Sequence, residues 1–310
     1  MEEFANWIMD ELEKLLGEDY WMKYMEMEKG NGKIYHGILI VKKGEDTGPL
    51  VYIDYYLEKY QEGGLTIPEI ASAIRKMVRQ HPAPVVDMDK IQNCYEAIKD
   101  QIKTAVCNYM ANEEDLLGMP HKKFLDLATF YYVPIHGVNG WDGALRIRNE
   151  QLRLWKISSE ELIKQAERNT RHLEKYSLFP VNTFMENLLE KFLGEEEAKT
   201  ILESESEILS IKGHIVTNME HFWGAGILAN NSMLKNLADR FQDDIVIFPV
   251  SIHELIVVKK ADYAEIPLGP DEIEEINQDS VHEEERLSNN IYLYSRDRME
   301  LKIYREGGPL

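Results

Sequence analysis

The stretch "VSIHELIVVKK", residues 250–260, sets Ser251, His253 and Glu254 directly ahead of a β-branched run. Hydroxyl, imidazole and carboxylate are the groups of acyl-transfer catalysis, in which a base takes the hydroxyl proton and a third group orients the base. Read as one strand, the stretch puts Ser251 and His253 on one face and Glu254 on the other, because successive side chains of a strand alternate. His253 and Glu254 then do not pair. Ser251 and His253 stand about 6.5–7 Å apart along the backbone, longer than a nucleophile–base hydrogen bond. A hydrolase built on them needs a further group, and Asp126 and His121 in "PHKKFLDLATFYYV" are the candidates. Asp126 lies among Leu125, Leu127 and Phe130, where a buried carboxylate must find a partner or become neutral. The simpler account has Asp126 capping a turn, or pairing with Lys122, Lys123 or an arginine of "LRIRN".

Metal and phosphate chemistry find less support. "HELIV" lacks the second histidine, four residues on, that zinc metalloprotease helices use. There is no Cys-x-x-Cys, and the nine histidines include no close pair at a ligand spacing; His214 and His221 stand seven apart. No metal or cofactor is expected. The glycines of "GVNGWDG" join two expected strands with no helix starting inside, so they serve a hairpin turn rather than a phosphate cradle.

Two features suit recognition. Trp141 sits in that turn and Trp223 in "HFWGAG", and large aromatics on turns make contact surfaces. The run "GPDEIEEINQDSVHEEER" holds eight acids, Asp271, Glu272, Glu274 and Glu275 among them, against one arginine. It reads as a solvated helix face, with Ile273 and Ile276 marking the packed side, or as a docking surface for a basic partner. A decoy of a nucleic-acid-binding protein would require these acids and those of 195–207 to form one stripe.

The bulk numbers set limits around these sites. With 35 basic and 55 acidic residues in 310, the formal charge is −20, which disfavours direct binding to nucleic acid or anionic membranes and suits a basic protein partner. Two cysteines, Cys94 and Cys107, thirteen apart in one expected helix, are separated by about 20 Å along its axis and do not pair there. Few cysteines, an acidic N-terminal segment and no apolar run near 20 residues point to a soluble, reduced, cytoplasmic protein.

The elements that must position these groups are legible from periodicity. Phe4, Ile8, Leu12 and Leu15 mark an amphipathic helix stopped by Gly17. Three meander strands separated by "GNGK" and "GEDTG" follow, then a helix in "TIPEIASAIRKMVRQH". "HPAPVV" at 81–86 reads as a linker, ahead of a long helix at about 89–112. "KFLDLATFYYV" and "GALRIRN" form a hairpin, and Ser158 with Glu161 caps the next helix. "GAGILANN" reads as a strand before "SMLKNLADRF", a loose echo of "GALRIRNEQL" that suggests a duplicated hairpin–helix unit. "DIVIFPVSIHELIVVKK", an acidic helix near 270–280 and a hairpin in "NIYLYSRDRMELKIY" complete the chain. The expected class is α+β, with mixed, mainly antiparallel sheets packed with helices, in units 1–84, 85–175 and 176–310.

"MPHKKFLDLATFYYV", "LRLWKISSEELIKQAERNT", "IVTNMEHFWGAGIL", "VSIHELIVV" and "NNIYLYSRDRMELKI" together resemble an uncharacterised family of Gram-positive gut anaerobes, a domain of unknown function, over nearly the whole chain. The resemblance implies no activity and assigns no residue a role. The residues therefore favour a non-enzymatic bacterial protein that binds or regulates a protein partner through an acidic or aromatic surface. A hydrolase with a pocket around His253, Ser251 and Asp126 is the alternative, and the acidic decoy a second.

Overall fold

A computed structural model of the protein describes the chain except residues 46, 81–90, 92, 137–141, 174–175, 184–193, 195–211, 250, 265–268 and 306–310. The fold is α+β, with mainly antiparallel sheets. The chain divides into two compact units, one of residues 1–97 with 133–145 and the other of residues 98–132 with 146–310.

The first unit opens with α1, Glu2–Leu16, whose Phe4, Ile8 and Leu12 are buried as their spacing predicts. Strands β1 (Tyr20–Glu28), β2 (Ile34–Lys42) and β3 (Leu50–Tyr52) form the expected antiparallel meander. A short helix, α2 (Asp54–Gln61), stands where the sequence suggests a continuing third strand. Asp54 supplies a reason: its carboxylate accepts the backbone N–H of His36 at 2.9 Å and contacts His36 Nδ1 at 2.7 Å. Helix α3 (Ile67–Gln80) follows, with Glu69 accepting both the backbone N–H and the hydroxyl of Thr66. Ile70 and Ile74 of α3 meet Ile38 and Ile40 of β2 and Ile8 of α1 in one apolar cluster.

Over the described residues of 89–112, which run from the first unit into the second, the expected single long helix does not form. Tyr95–Ile98 make a single helical turn, α4, and Lys103–Asn108 make strand β4. Cys107 is therefore on a strand, 8% exposed, with its thiol against the carbonyl of Ala128. The period is unreadable because Thr104 to Cys107 are buried on both faces, and an apolar stretch without alternation fits helix and strand equally. The proposed linker at 81–86 lies outside the described residues.

"KFLDLATFYYV" is two strands. β5 (Lys122–Phe124) turns back through Leu125, at φ 51°, and Asp126 into β6 (Leu127–His136). β6 pairs with β4, Thr104 opposite Tyr131, and β7 (Asp142–Arg146) pairs with β6. Helices α5 (Glu113–Leu117), α6 (Asn149–Trp155) and α7 (Ser159–Leu173) surround these strands in the sequence, and Ser158 Oγ accepts the N–H of Glu161 as expected.

The larger sheet has the order β13-β12-β10-β11-β9-β8, all antiparallel, from β8 (Tyr176–Pro180), β9 (Gly213–Asn218), β10 (Ile245–Phe248), β11 (Leu255–Lys259), β12 (Tyr292–Ser295) and β13 (Glu300–Ile303). Its two faces sort the apolar run of β10 by alternation. Ile245 and Ile247 join a core under α8 (Asn231–Phe241), while Val246 and Phe248 meet Tyr263 of α9 (Lys260–Tyr263) and Ile273 of α10 (Pro270–Ser280) on the other side. α10 is the acidic helix read from the sequence; its second inward residue is Asn277, at 2% exposure, rather than Ile276, at 37%.

The expected strand "GAGILANN" is a 3-10 helix, Gly224–Ala229. Its glycines explain the departure. A Cβ on Gly224 would stand 2.2 Å from Thr217 Oγ1 and 2.5 Å from the carbonyl oxygen of His253, and one on Gly226 would stand 2.5 Å from the carbonyl oxygen of Thr104. The segment is pressed against β9 and β4 at backbone distance. Because "GALRIRN" makes strand β7 and "GAGIL" a 3-10 turn, the two stretches are not copies of one unit.

Gly226→Ala is expected to lower the unfolding free energy by about 1–3 kcal/mol. The backbone carbonyl of Thr104 has no rotamer by which to yield. Urea denaturation followed by far-UV circular dichroism measures the loss, and an unchanged midpoint would contradict the close approach.

Candidate functional site

The catalytic candidates occupy three separate hydrogen-bond networks within the second unit. Strand β11 starts only at Leu255, so Ser251 to Glu254 form a turn and not the first half of a strand. Ser251 is 7% exposed and its hydroxyl oxygen accepts the backbone N–H groups of His253 at 3.0 Å and Glu254 at 3.3 Å. Serine commonly closes turns in this way. The face-by-face separation of His253 from Glu254 expected for a strand does not apply.

His253 has both ring nitrogens committed. Nδ1 accepts the backbone N–H of Trp223 at 3.1 Å, which places the proton on Nε2, and Nε2 faces Glu285 Oε1 at 3.5 Å. Neither nitrogen faces Ser251. The His253 carbonyl accepts the Thr217 hydroxyl at 2.8 Å, and the carbonyl of Ile252 accepts the N–H of Ala225 at 3.2 Å. "SIHE" is thus the clamp that fixes the 3-10 segment, including Trp223 at φ 53°. The hydrogen bond from His253 holds the Glu285 carboxyl below its ordinary range, whereas burial pushes the Glu254 carboxyl above it.

Asp126 works elsewhere. Its carboxylate accepts from Ser288 Oγ at 2.6 Å, Asn290 Nδ2 at 2.9 Å and Tyr292 OH at 2.8 Å. The partners are neutral donors rather than the lysines or arginines expected, and they anchor the segment leading into β12. Burial and the Asp126 charge push the Tyr292 hydroxyl well above its usual range, so it stays a donor. His121 is held apart from both, with Nδ1 3.0 Å from the carbonyl of Met119.

The recognition candidates sort similarly. Trp223 is 7% exposed and not on an open tip; it packs on Tyr132 at 4.7 Å, Phe222 at 4.4 Å and Phe130 at 5.1 Å between ring centroids, and the Arg146 guanidinium lies 5.6 Å from its ring. Arg146 in turn joins Arg148 on Asp115. Trp141 and the acids of 195–207 lie outside the described residues. On α10, Asp271, Glu272, Glu274 and Glu275 are exposed, and Glu272 accepts the N–H of Gly269 at the helix start. Among the described residues no group of three or more His, Cys, Asp or Glu could hold a metal ion, and no helix is long and apolar enough to cross a membrane.

A cavity of about 480 Å³ lies elsewhere in the second unit. Thr104 of β4, Thr129 and Tyr131 of β6 and Thr170 of α7 line it with hydroxyls and are all at least nine-tenths buried. Phe124, Leu228, Leu234 and Leu301 add apolar wall, and Asn230, Asn231 and Ser232 bring the start of α8 to its lining. Its size falls in the range of small-molecule sites. No motif marks any of these residues. The one signal in the sequence is Thr129 and Tyr131, two hydroxyls at alternate positions of an apolar strand and hence on one face.

Replacing His253 tests the clamp. Asparagine keeps an acceptor near the position of Nδ1 and glutamine does not, so His253→Gln is expected to cost about 1–3 kcal/mol and His253→Asn less than half of that, measured by urea denaturation. Equal losses would remove the Trp223 hydrogen bond from the account. For Glu254 the raised folded-state pKa means that its contribution is fully present below the unfolded value and is lost as pH rises through the folded one. Glu254→Gln is therefore expected to raise Tm at pH 7 by about 1–3 °C and to leave it unchanged near pH 4, in paired thermal melts.

Comparison with known proteins yields one match. No curated protein and no solved structure matched the chain. The model of a family of unknown function, DUF5688, matches residues 1–296, and the chain belongs to that family.

Proposed function

We propose that this protein acts by binding, and that what it binds is a small organic molecule held in the cavity between β4, β6, α7 and the start of α8. The observation that carries the proposal is the hydroxyl of Thr104, a residue only 8% exposed. It lines a cavity of about 480 Å³ and has no hydrogen-bond partner among the described residues. Such a hydroxyl, accessible and on an otherwise buried residue facing an open volume with apolar walls, offers a ligand one donor and one acceptor in place of solvent.

Two further facts support binding over hydrolysis. Ser251 spends its oxygen on two backbone donors, and His253 has Trp223 and Glu285 on its two nitrogens. Asp126 is held by three side-chain donors of its own. Converting this arrangement into a nucleophile–base pair would break the contacts that hold the chain turn together. The exposed carboxylates Asp271, Glu274 and Glu275 of α10 suit a basic protein partner by charge alone. No second observation accompanies them, so the cavity carries the reading.

Ser232→Trp tests it. Ser232 is an exposed lining residue at the start of α8, where a large side chain can cover the cavity without entering the core. Ligand-observed NMR with a fragment pool is expected to find binders of wild type that compete with one another and are lost in Ser232→Trp, and saturating binders are expected to raise the wild-type Tm. Fragments that bind the folded variant equally well would sink the reading.

A further inference from the structure

The hydrogen-bond inventory of the cavity specifies more than its size, and its bearing on ligand class rests on the reading of that cavity as a ligand site. At its deep end stand Thr104, Thr129 and Tyr131, at 8%, 5% and 2% exposure. Thr129 Oγ1 accepts the N–H of Lys122 at 3.2 Å and lies 3.1 Å from the Tyr131 hydroxyl. Thr129 Oγ1 also donates to the Lys122 carbonyl at 3.4 Å, so its one proton is spent, the Tyr131 hydroxyl is the donor in that contact, and the Tyr131 oxygen keeps a lone pair free to accept. Burial pushes the Tyr131 phenol up to about 12, so it enters as a neutral hydroxyl. Thr104 keeps both its proton and its lone pairs. The deep end thus offers hydroxyls able to donate and to accept, and no charge.

Charged lining groups are confined to exposed positions: Lys122, Glu167 and Glu300. A carboxylate or phosphate pushed as far as Thr104 would lose its hydration and meet the like charge of Glu167, whose field reaches Tyr131, while an ammonium there would have only that exposed carboxylate to offset its lost hydration. The carboxamides at the start of α8 are also partly spent. Asn230 Oδ1 accepts the N–H groups of Ser232 at 3.1 Å and Met233 at 3.3 Å, and Asn231 Oδ1 accepts the Tyr294 hydroxyl at 2.6 Å. Their NH2 groups remain, which are donors only. This helix start is already capped by Asn230, which removes the usual ground for an anion there.

We infer that the cavity takes an uncharged, hydroxyl-bearing molecule whose hydroxyl pairs with Thr104 and Tyr131 while its apolar body lies against Phe124, Leu228 and Leu234. From the deep end outward the ligand would present a hydroxyl, an apolar frame, and hydrogen-bond acceptors toward Asn230 and Asn231. A neutral alcohol satisfies the deep end at both donor and acceptor, which a carboxylate or an ammonium does not.

Three probes with one skeleton separate the classes: 2-naphthylmethanol, 2-naphthoate and 2-naphthylmethylamine, titrated into the full chain by ligand-observed NMR. The alcohol is expected to bind about tenfold more tightly than either ion. Thr104→Val, which keeps the side-chain shape and removes the hydroxyl, is expected to weaken the alcohol several-fold and leave the ions unmoved; Tyr131→Phe gives a second, independent loss. An ion that binds as tightly as the alcohol, an alcohol indifferent to both substitutions, or no binding by any of the three overturns the ligand class. The cavity itself survives that failure if Ser232→Trp still abolishes fragment binding, and falls with it if Ser232→Trp changes nothing.

Discussion

Residues 224–226, Gly-Ala-Gly, bring little side-chain bulk to the second unit, yet the packing there turns on them. A buried backbone segment must satisfy its N–H and C=O groups without solvent, and one that approaches other backbone closely has no space for side chains. Gly224 and Gly226 meet the second requirement against Thr217, His253 and Thr104. The turn at Ser251–Glu254 meets the first, with His253 Nδ1 and the Ile252 carbonyl receiving Trp223 and Ala225. Once this segment is seated, β4 lies beside it, α8 begins shortly after it, and the volume left between them is the cavity. The imidazole is part of the scaffold that creates the site and is not among the residues lining it.

Much of the fold is legible from periodicity where an element has one wet face. α1, α3 and the β1–β3 meander show it, because exposed and buried positions alternate at the helical or strand period. Periodicity fails where both faces are covered. β4 is buried from Thr104 to Cys107 and loses its signature, and "GAGIL" looks like a strand because small and branched residues suit both a strand and a tightly packed 3-10 turn. The β5–β6 turn is hidden for another reason: it passes through Leu125 at positive φ, a position no turn-forming residue type advertises.

For the site, the sequence points to titratable residues and the structure to hydroxyls. Ser251, His253 and Asp126 attract attention by type, but type does not reveal whether a nitrogen or oxygen is already spoken for. The partners of Asp126 lie more than 160 positions away in Ser288, Asn290 and Tyr292, and no spacing rule reaches that far. Thr104 and Tyr131 are cross-strand neighbours in the β4–β6 ladder, a register that exists only once the two strands pair. Family membership names the chain's relatives and leaves the role of the site to its atoms.

The same ladder holds one of the protein's two thiols, and the two differ in character. Cys94 is exposed, while Cys107 sits on β4 three residues beyond Thr104, and burial pushes its thiol up to about 12. In the native fold, electrophiles and oxidants thus meet one reactive sulfur and one silent one, since the thiolate is the reacting species. Cys107 becomes reactive only when β4 separates from β6, the strands that carry the cavity's hydroxyl floor. The slow fraction of thiol modification is thereby a clock for opening of that floor, built into the chain without any added label.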